Sequence, residues 1–164
     1  MNGQSRSLSA GLYLVSTPIG SARDITLRGI DILSNASVIV SEDTRTIRKL
    51  MEIHGIPIND RKIIAYHDHS DDASVRGVVK LIADGKSVAY VSEAGTPLIA
   101  DPGFELGRAV IAAGFQITAA PGASAVLTAL TVSGLPTDRF AFIGFLPTTK
   151  FGERIFLRIG GWER

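Results

Sequence analysis

The feature that most constrains this 164-residue chain is a repeated alternation of short apolar stretches with longer amphipathic ones. "LYLV" at 12–15 is followed by "DITLRGIDILSNA", where Ile25, Leu27, Ile30 and Leu33 fall near helical spacing and Asp24 or Thr26 can cap. "VIV" at 38–40 leads into "TRTIRKLMEIHG", closed by Gly55 with Pro57 beyond. "IIAY" at 63–66 precedes "ASVRGVVKLIADG", with Val75, Val78, Val79 and Ile82 on one side. "SVAYVS" precedes "PGFELGRAVIAAG", "FQITAA" precedes "PGASAVLTALTVSGLP", and "RFAFIGF" at 139–145 reads as a sixth strand. Such alternation predicts βαβ units and an α/β fold, an open, mostly parallel, doubly wound sheet.

Right-handed crossovers put every strand's carboxyl end on one edge of such a sheet. The unusual loops here all follow strands: "TPIG", "SEDTR", "HDHSDD", "SEAGTP" and "APGAS". They are therefore expected on the edge where open α/β sheets bind ligands. The return connections, "SNAS", "HGIPIND" and "ADGK", are ordinary turns.

In "SEAGTPLIADPG", Gly95 lets the backbone approach a ligand, Pro97 stiffens the loop, and Glu93 and Thr96 offer an acceptor and a hydroxyl. The alternative is a stiff connection to the next helix. "STPIGSARD" has the same style but lacks both phosphate-loop and dinucleotide fingerprints, which disfavours a ligand held by its phosphates. "SEDTRTIRK" places Arg45, Arg48 and Lys49 on a small cationic helix face, suited either to phosphodiester contact or to a solvated helix start. "YHDHSDD" makes a weak metal signal; His67 is a candidate substrate-side group, or the stretch is an acidic cap. In "APGAS", Pro121 and Gly122 turn the chain sharply and Ser124 is expected to cap a helix or reach a ligand.

The chain has no cysteine, which excludes thiolate chemistry and cysteine-ligated metals. A net charge of +1 supplies no long-range field for a nucleic acid, so a local patch would have to attract one. The polar opening "MNGQSRSLSAG" lacks an apolar signal core, and no apolar run reaches the ~18 residues of a membrane span. A cytoplasmic protein without a membrane partner is the expectation.

Together "LYLVSTPIG", "DITLR", "EDTRTIRKL", "SEAGTPLIADPG", "PGASA" and "GLPTDRFAFIGFLP" resemble the tetrapyrrole methylase superfamily, and within it the branch that methylates a cytidine 2′-hydroxyl in 16S ribosomal RNA. The resemblance implies S-adenosylmethionine as cofactor, a homodimer, and 16S rRNA or the small ribosomal subunit as partner. It implies cofactor contacts at Glu93, Ala94, Gly95, Thr96, Pro97, Pro121, Gly122 and Ser124. Substrate contacts are expected at Thr17, Pro18, Gly20, Thr44, Arg45, Arg48 and Lys49, and the base is sought among Glu42, Asp43 and His67. Glu93 and Ala100 stand where Asp and Ser are common. The expected organisation is a polar leader at 1–10, a methylase domain at 11–121, and a connecting helix with the start of a second α/β domain at 122–164. Because the likeness stops near Lys150, an inactive truncated half is one alternative; a tetrapyrrole methyltransferase is another.

Overall fold

A computed structural model describes residues 7–66, 72–100 and 103–145. The elements are β1 Gly11–Val15, α1 Leu27–Asn35, β2 Val38–Ser41, α2 Thr44–Ile53, β3 Lys62–Ala65, α3 Asp72–Ala83, β4 Ser87–Val91, α4 Phe104–Ala112, β5 Ile117–Ala120 and α5 Ala125–Val132. The five strands form one sheet in the order β3-β2-β4-β1-β5, and every pairing is parallel.

Side chains on a strand alternate between faces, so each strand feeds two cores. Tyr13, Val15, Ile39, Ala89 and Val91 pack on one face with Ile32 and Leu33 of α1 and Ile47, Leu50 and Met51 of α2. Leu12, Val38, Val40, Val88 and Tyr90 pack on the other with Val78 and Ile82 of α3 and Leu106 and Val110 of α4. Strand β4 is buried along its whole length between β1 and β2. Burying each large apolar side chain in these layers is worth about 1.5–3 kcal/mol, which is why both strand faces are apolar.

This arrangement decides where a ligand can sit. The chain leaves β1 and β2 toward the face of α1 and α2, whereas it leaves β4 toward the face of α4. Adjacent strands whose connections part to opposite faces open a crevice at their carboxyl ends. Here the crevice flanks β4, next to the loops after β1 and β2.

Residues 139–145 do not form a strand; they are exposed and extend along no described partner. An apolar alternating segment becomes a strand only when a neighbour takes up its backbone groups. The stretch 67–71, with His67, lies outside the described residues, as do Asp101 and Pro102.

The connection before β3 is held by Arg61. Its guanidinium donates to the carbonyls of Leu33, Ala36 and Pro57, and its Nε donates to Ile58 O at 3.0 Å. It thereby satisfies orphan carbonyls at the end of α1 and ties them to the 55–60 turn. Arg61→Ala should lower stability by about 1–3 kcal/mol, read from the urea midpoint, since several carbonyls lose a charged donor at once. An unchanged midpoint would contradict this role.

Candidate functional site

The loops after β1, β4 and β5 are sewn together. Thr17 and Gly95 exchange backbone hydrogen bonds, Thr17 N to Gly95 O at 2.9 Å and Gly95 N to Thr17 O at 3.1 Å, forming an isolated antiparallel bridge. Beneath it the buried hydroxyls satisfy one another: Thr17 Oγ1 donates to Ser92 O at 3.2 Å and Ser92 Oγ to Gly95 O at 2.6 Å. Thr96 Oγ1 donates to Ala123 O at 3.0 Å, carrying the linkage to the loop after β5. Buried polar groups paired in this way hold a loop in one conformation.

The backbone explains the glycines. Gly95 has φ +82°, a left-handed conformation that a side chain would strain. Gly122 is required for space instead: a Cβ there would lie 2.8 Å from Ser16 Cβ. Leu98 and Ala100 also have positive φ, at 68° and 49°, without being glycine. Such residues cost on the order of 1–3 kcal/mol each and persist where the surroundings fix them, often at ligand sites.

The bridge divides two hollows. One, of about 430 Å³, is lined by Leu14, Ser16, Ile99, Ala119, Ala120 and Leu127 together with Thr96, Pro97, Pro121, Gly122 and Ser124. An adjoining hollow of about 250 Å³ shares Thr96, Ile99 and Ser124 and adds Ala94 and Gly95. The other cleft, about 280 Å³, faces α2 and is lined by Thr17, Pro18, Gly20, Ala22, Thr46, Ile47, Lys49, Leu50, Ile53, Ser92 and Glu93. Seven of the eight residues expected to meet a cofactor thus gather on one side. Glu93 does not; it shares the α2-side cleft with Thr17, Pro18, Gly20 and Lys49, all expected to meet substrate.

Ser124 both lines the hollow and caps α5, accepting from Leu127 N at 3.5 Å. In the α2-side cleft, Thr46, Leu50 and Ile53 were not singled out in the sequence. They lie three or four residues from Lys49 or from each other, so helical spacing alone could have grouped them. His54, which ends α2, places Nε2 2.7 Å from Ala22 O and fastens the loop after β1 against the helix.

At the start of α2, Asp43 is the N-cap: its carboxylate accepts from Arg45 N at 2.7 Å and from the Arg45 guanidinium at 3.0 and 3.3 Å. The guanidinium bond, then the backbone bond, hold the Asp43 carboxyl below its ordinary value, and the pairing holds Arg45 above its own. Arg45 is 90% exposed, so the pair contributes little to stability beyond the cap. Thr44, Arg45 and Arg48 stand on this rim rather than in the cleft. Among the described residues, Glu42 has no bonded partner for its carboxylate, and Arg48 has none for its guanidinium. No group of three or more His, Asp or Glu among the described residues is placed to hold a metal, and no described helix is long and apolar enough to cross a membrane.

Residues 11–157 match the family described as Tetrapyrrole (Corrin/Porphyrin) Methylases. The chain belongs to this family. Among its relatives, a protein named ribosomal RNA small subunit methyltransferase I from Rickettsia prowazekii is 49% identical over 153 residues, covering 93% of this chain and 54% of the relative. Its namesake from Escherichia coli is 41% identical over 156 residues, covering 94% and 54%. The chain therefore spans about half the length of these relatives. Two solved structures share the fold. Uroporphyrin-III-C-methyltransferase from Thermus thermophilus superposes with a TM-score of 0.58 at 23% identity, over 77% of this chain and 54% of that one. A cobalt precorrin-4 methyltransferase gives 0.60 at 20%, over 74% and 49%. Both likenesses concern the methylase fold alone.

The Asp43 cap carries a pH signature. Its folded-state pKa lies below the ordinary 3.8, so its contribution is present above 3.8 and is lost as pH falls through the lower folded value. Asp43→Asn keeps a capping oxygen but removes the charge. The thermal midpoint of the variant should lie below wild type at neutral pH, and the gap should close well below pH 3.8. A gap independent of pH would refute the pairing.

Proposed function

We propose that this chain provides the donor-binding part of an S-adenosylmethionine-dependent methyltransferase acting on a cytidine 2′-hydroxyl of 16S ribosomal RNA. The observation that carries the reading is the pair of hollows on either side of the Thr17–Gly95 bridge, one for each reactant. The names of relatives at 41–49% identity support the RNA substrate over a tetrapyrrole.

The larger hollow suits the donor's chemistry. Its walls are apolar with a few hydroxyls, and Gly122 brings backbone close to Ser16 with no room for a Cβ. It offers no cationic or glycine-rich phosphate cradle, consistent with a ligand bearing no phosphate. Thr96, Pro97, Pro121, Gly122 and Ser124 would hold the donor, with Ala94 and Gly95 beside them. When bound, the group supplies an electrophilic methyl on a sulfonium.

A bound donor would supply the methyl group, and the chain's own residues would align a ribose 2′-hydroxyl toward it and provide a base for the hydroxyl proton. The chain's main contribution is alignment, which can supply about 7–11 kcal/mol of a barrier. Among the base candidates, Asp43 is disfavoured as a proton acceptor because Arg45 occupies its carboxylate and lowers its pKa. Glu42 keeps its carboxylate unoccupied among the described residues, and His67 lies outside them. Arg45, Arg48 and Lys49 would meet the RNA backbone and give a salt-sensitive affinity.

The reading includes a cytoplasmic location and a homodimer, the latter supported by the exposed Val132, Leu135 and Phe140. Sedimentation of a monomer at micromolar concentration would remove that part.

Calorimetric titration tests the core of the proposal. S-adenosylmethionine should bind and ATP should not. Gly122→Ala should weaken the donor about tenfold, the equivalent of 1.4 kcal/mol, while the far-ultraviolet spectrum stays native. Equal binding of ATP, or a Gly122→Ala variant that binds as wild type, would overturn the assignment.

A further inference from the structure

We propose that the cleft on the α2 side is a subsite for one unstacked cytosine, with Glu93 accepting hydrogen bonds from its exocyclic amine. The inference rests on the RNA reading above and deepens it. It departs from the expectation that Glu93 serves the donor, because the residue lines the cleft on the opposite side of the bridge.

Size is the first argument. At about 280 Å³ the cleft falls just below the roughly 300–1,000 Å³ of drug-sized ligand sites, which suits one nucleoside and not a duplex. Single-stranded RNA is read through splayed, unstacked bases. The walls are suited to a flat ring: Pro18 on the loop after β1, Ile47, Leu50 and Ile53 on α2. They are also pre-positioned, by the Thr17–Gly95 bridge at one end and the His54–Ala22 contact at the other. A site fixed before binding loses less entropy on association.

Charge is the second argument. Glu93 is the one carboxylate among the described residues lining the cleft, and no described residue bonds it. A carboxylate is acceptor-only, so at the position of the exocyclic group it pairs with the N4 amine of cytosine and is left unpaired by the O4 carbonyl of uracil. Lys49, whose ammonium is paired among the described residues with the exposed Glu52 at 3.0 Å, also lines the cleft and offers a cation to a phosphate. The acceptor and the cation therefore match the two ends of a nucleotide.

The test is a titration of the 164-residue protein with cytidine, uridine and adenosine, followed by backbone amide shifts. Cytidine should shift Gly20, Ala22, Ile47 and Ile53 and bind about tenfold tighter than uridine, the low end of what one base-edge contact supplies. Glu93→Gln, whose amide can also donate, should abolish that preference; Glu93 is exposed, so the variant keeps its fold. Equal binding of cytidine and uridine, tighter binding of adenosine, or shifts centred on Thr96 and Gly122 would overturn the proposal. So would a loss of S-adenosylmethionine affinity in Glu93→Gln, which would return the residue to the donor. The two readings fail separately. Cytidine selectivity without donor binding would remove methyl transfer and leave the subsite; donor binding without cytidine selectivity would do the reverse.

Discussion

Two hydrogen bonds between Thr17 and Gly95 organise the functional edge of this molecule. They join the loop after β1 to the loop after β4 at the place where the sheet's connections part to opposite faces. A parallel sheet alone would leave those loops as separate flexible segments. The bridge, with the buried Ser92 and Thr17 hydroxyls under it, turns them into one wall with a hollow on each side. Gly95 makes this exchange with a left-handed φ of +82°, a conformation that a side chain would strain. The cost of this geometry extends to Leu98 and Ala100, whose left-handed backbones lie in the same loop.

Much of this could be read in the chain itself. The alternation of short apolar runs and amphipathic stretches was enough to infer parallel strands, and parallelism was enough to gather the loops on one edge. The helix stops at Gly55, Gly85 and Gly114 follow the same local rules, each taking a left-handed φ. What could not be read was which side of the wall each residue would face. Glu93 and Thr96 are three residues apart in one loop, yet they line different hollows, because a tertiary bridge at Gly95 falls between them. The segment 139–145 misled for a related reason: its apolar pattern is that of a strand, but strand formation depends on a neighbour that the pattern does not encode.

Electrostatics divide along the same line. The larger hollow, proposed for the donor, is lined by apolar and small hydroxyl residues, whereas the α2 side carries Lys49 and Glu93, with Arg45 and Arg48 on the adjoining rim. With a net charge of only +1, an ionic substrate would depend on such local groups rather than on a field of the whole chain. On the proposed reading, a weakly polar donor and a polyanionic substrate would each meet a wall of matching chemistry, with their reactive atoms meeting at the edge of the bridge.

The central claim is that the two reactants occupy opposite sides of the Thr17–Gly95 bridge. A crystal structure with S-adenosylhomocysteine tests it most directly. The account predicts the ligand against Thr96, Pro97, Gly122 and Ser124, with the α2-side cleft left open to a nucleoside. Ligand density between Pro18, Lys49 and Glu93 would contradict it.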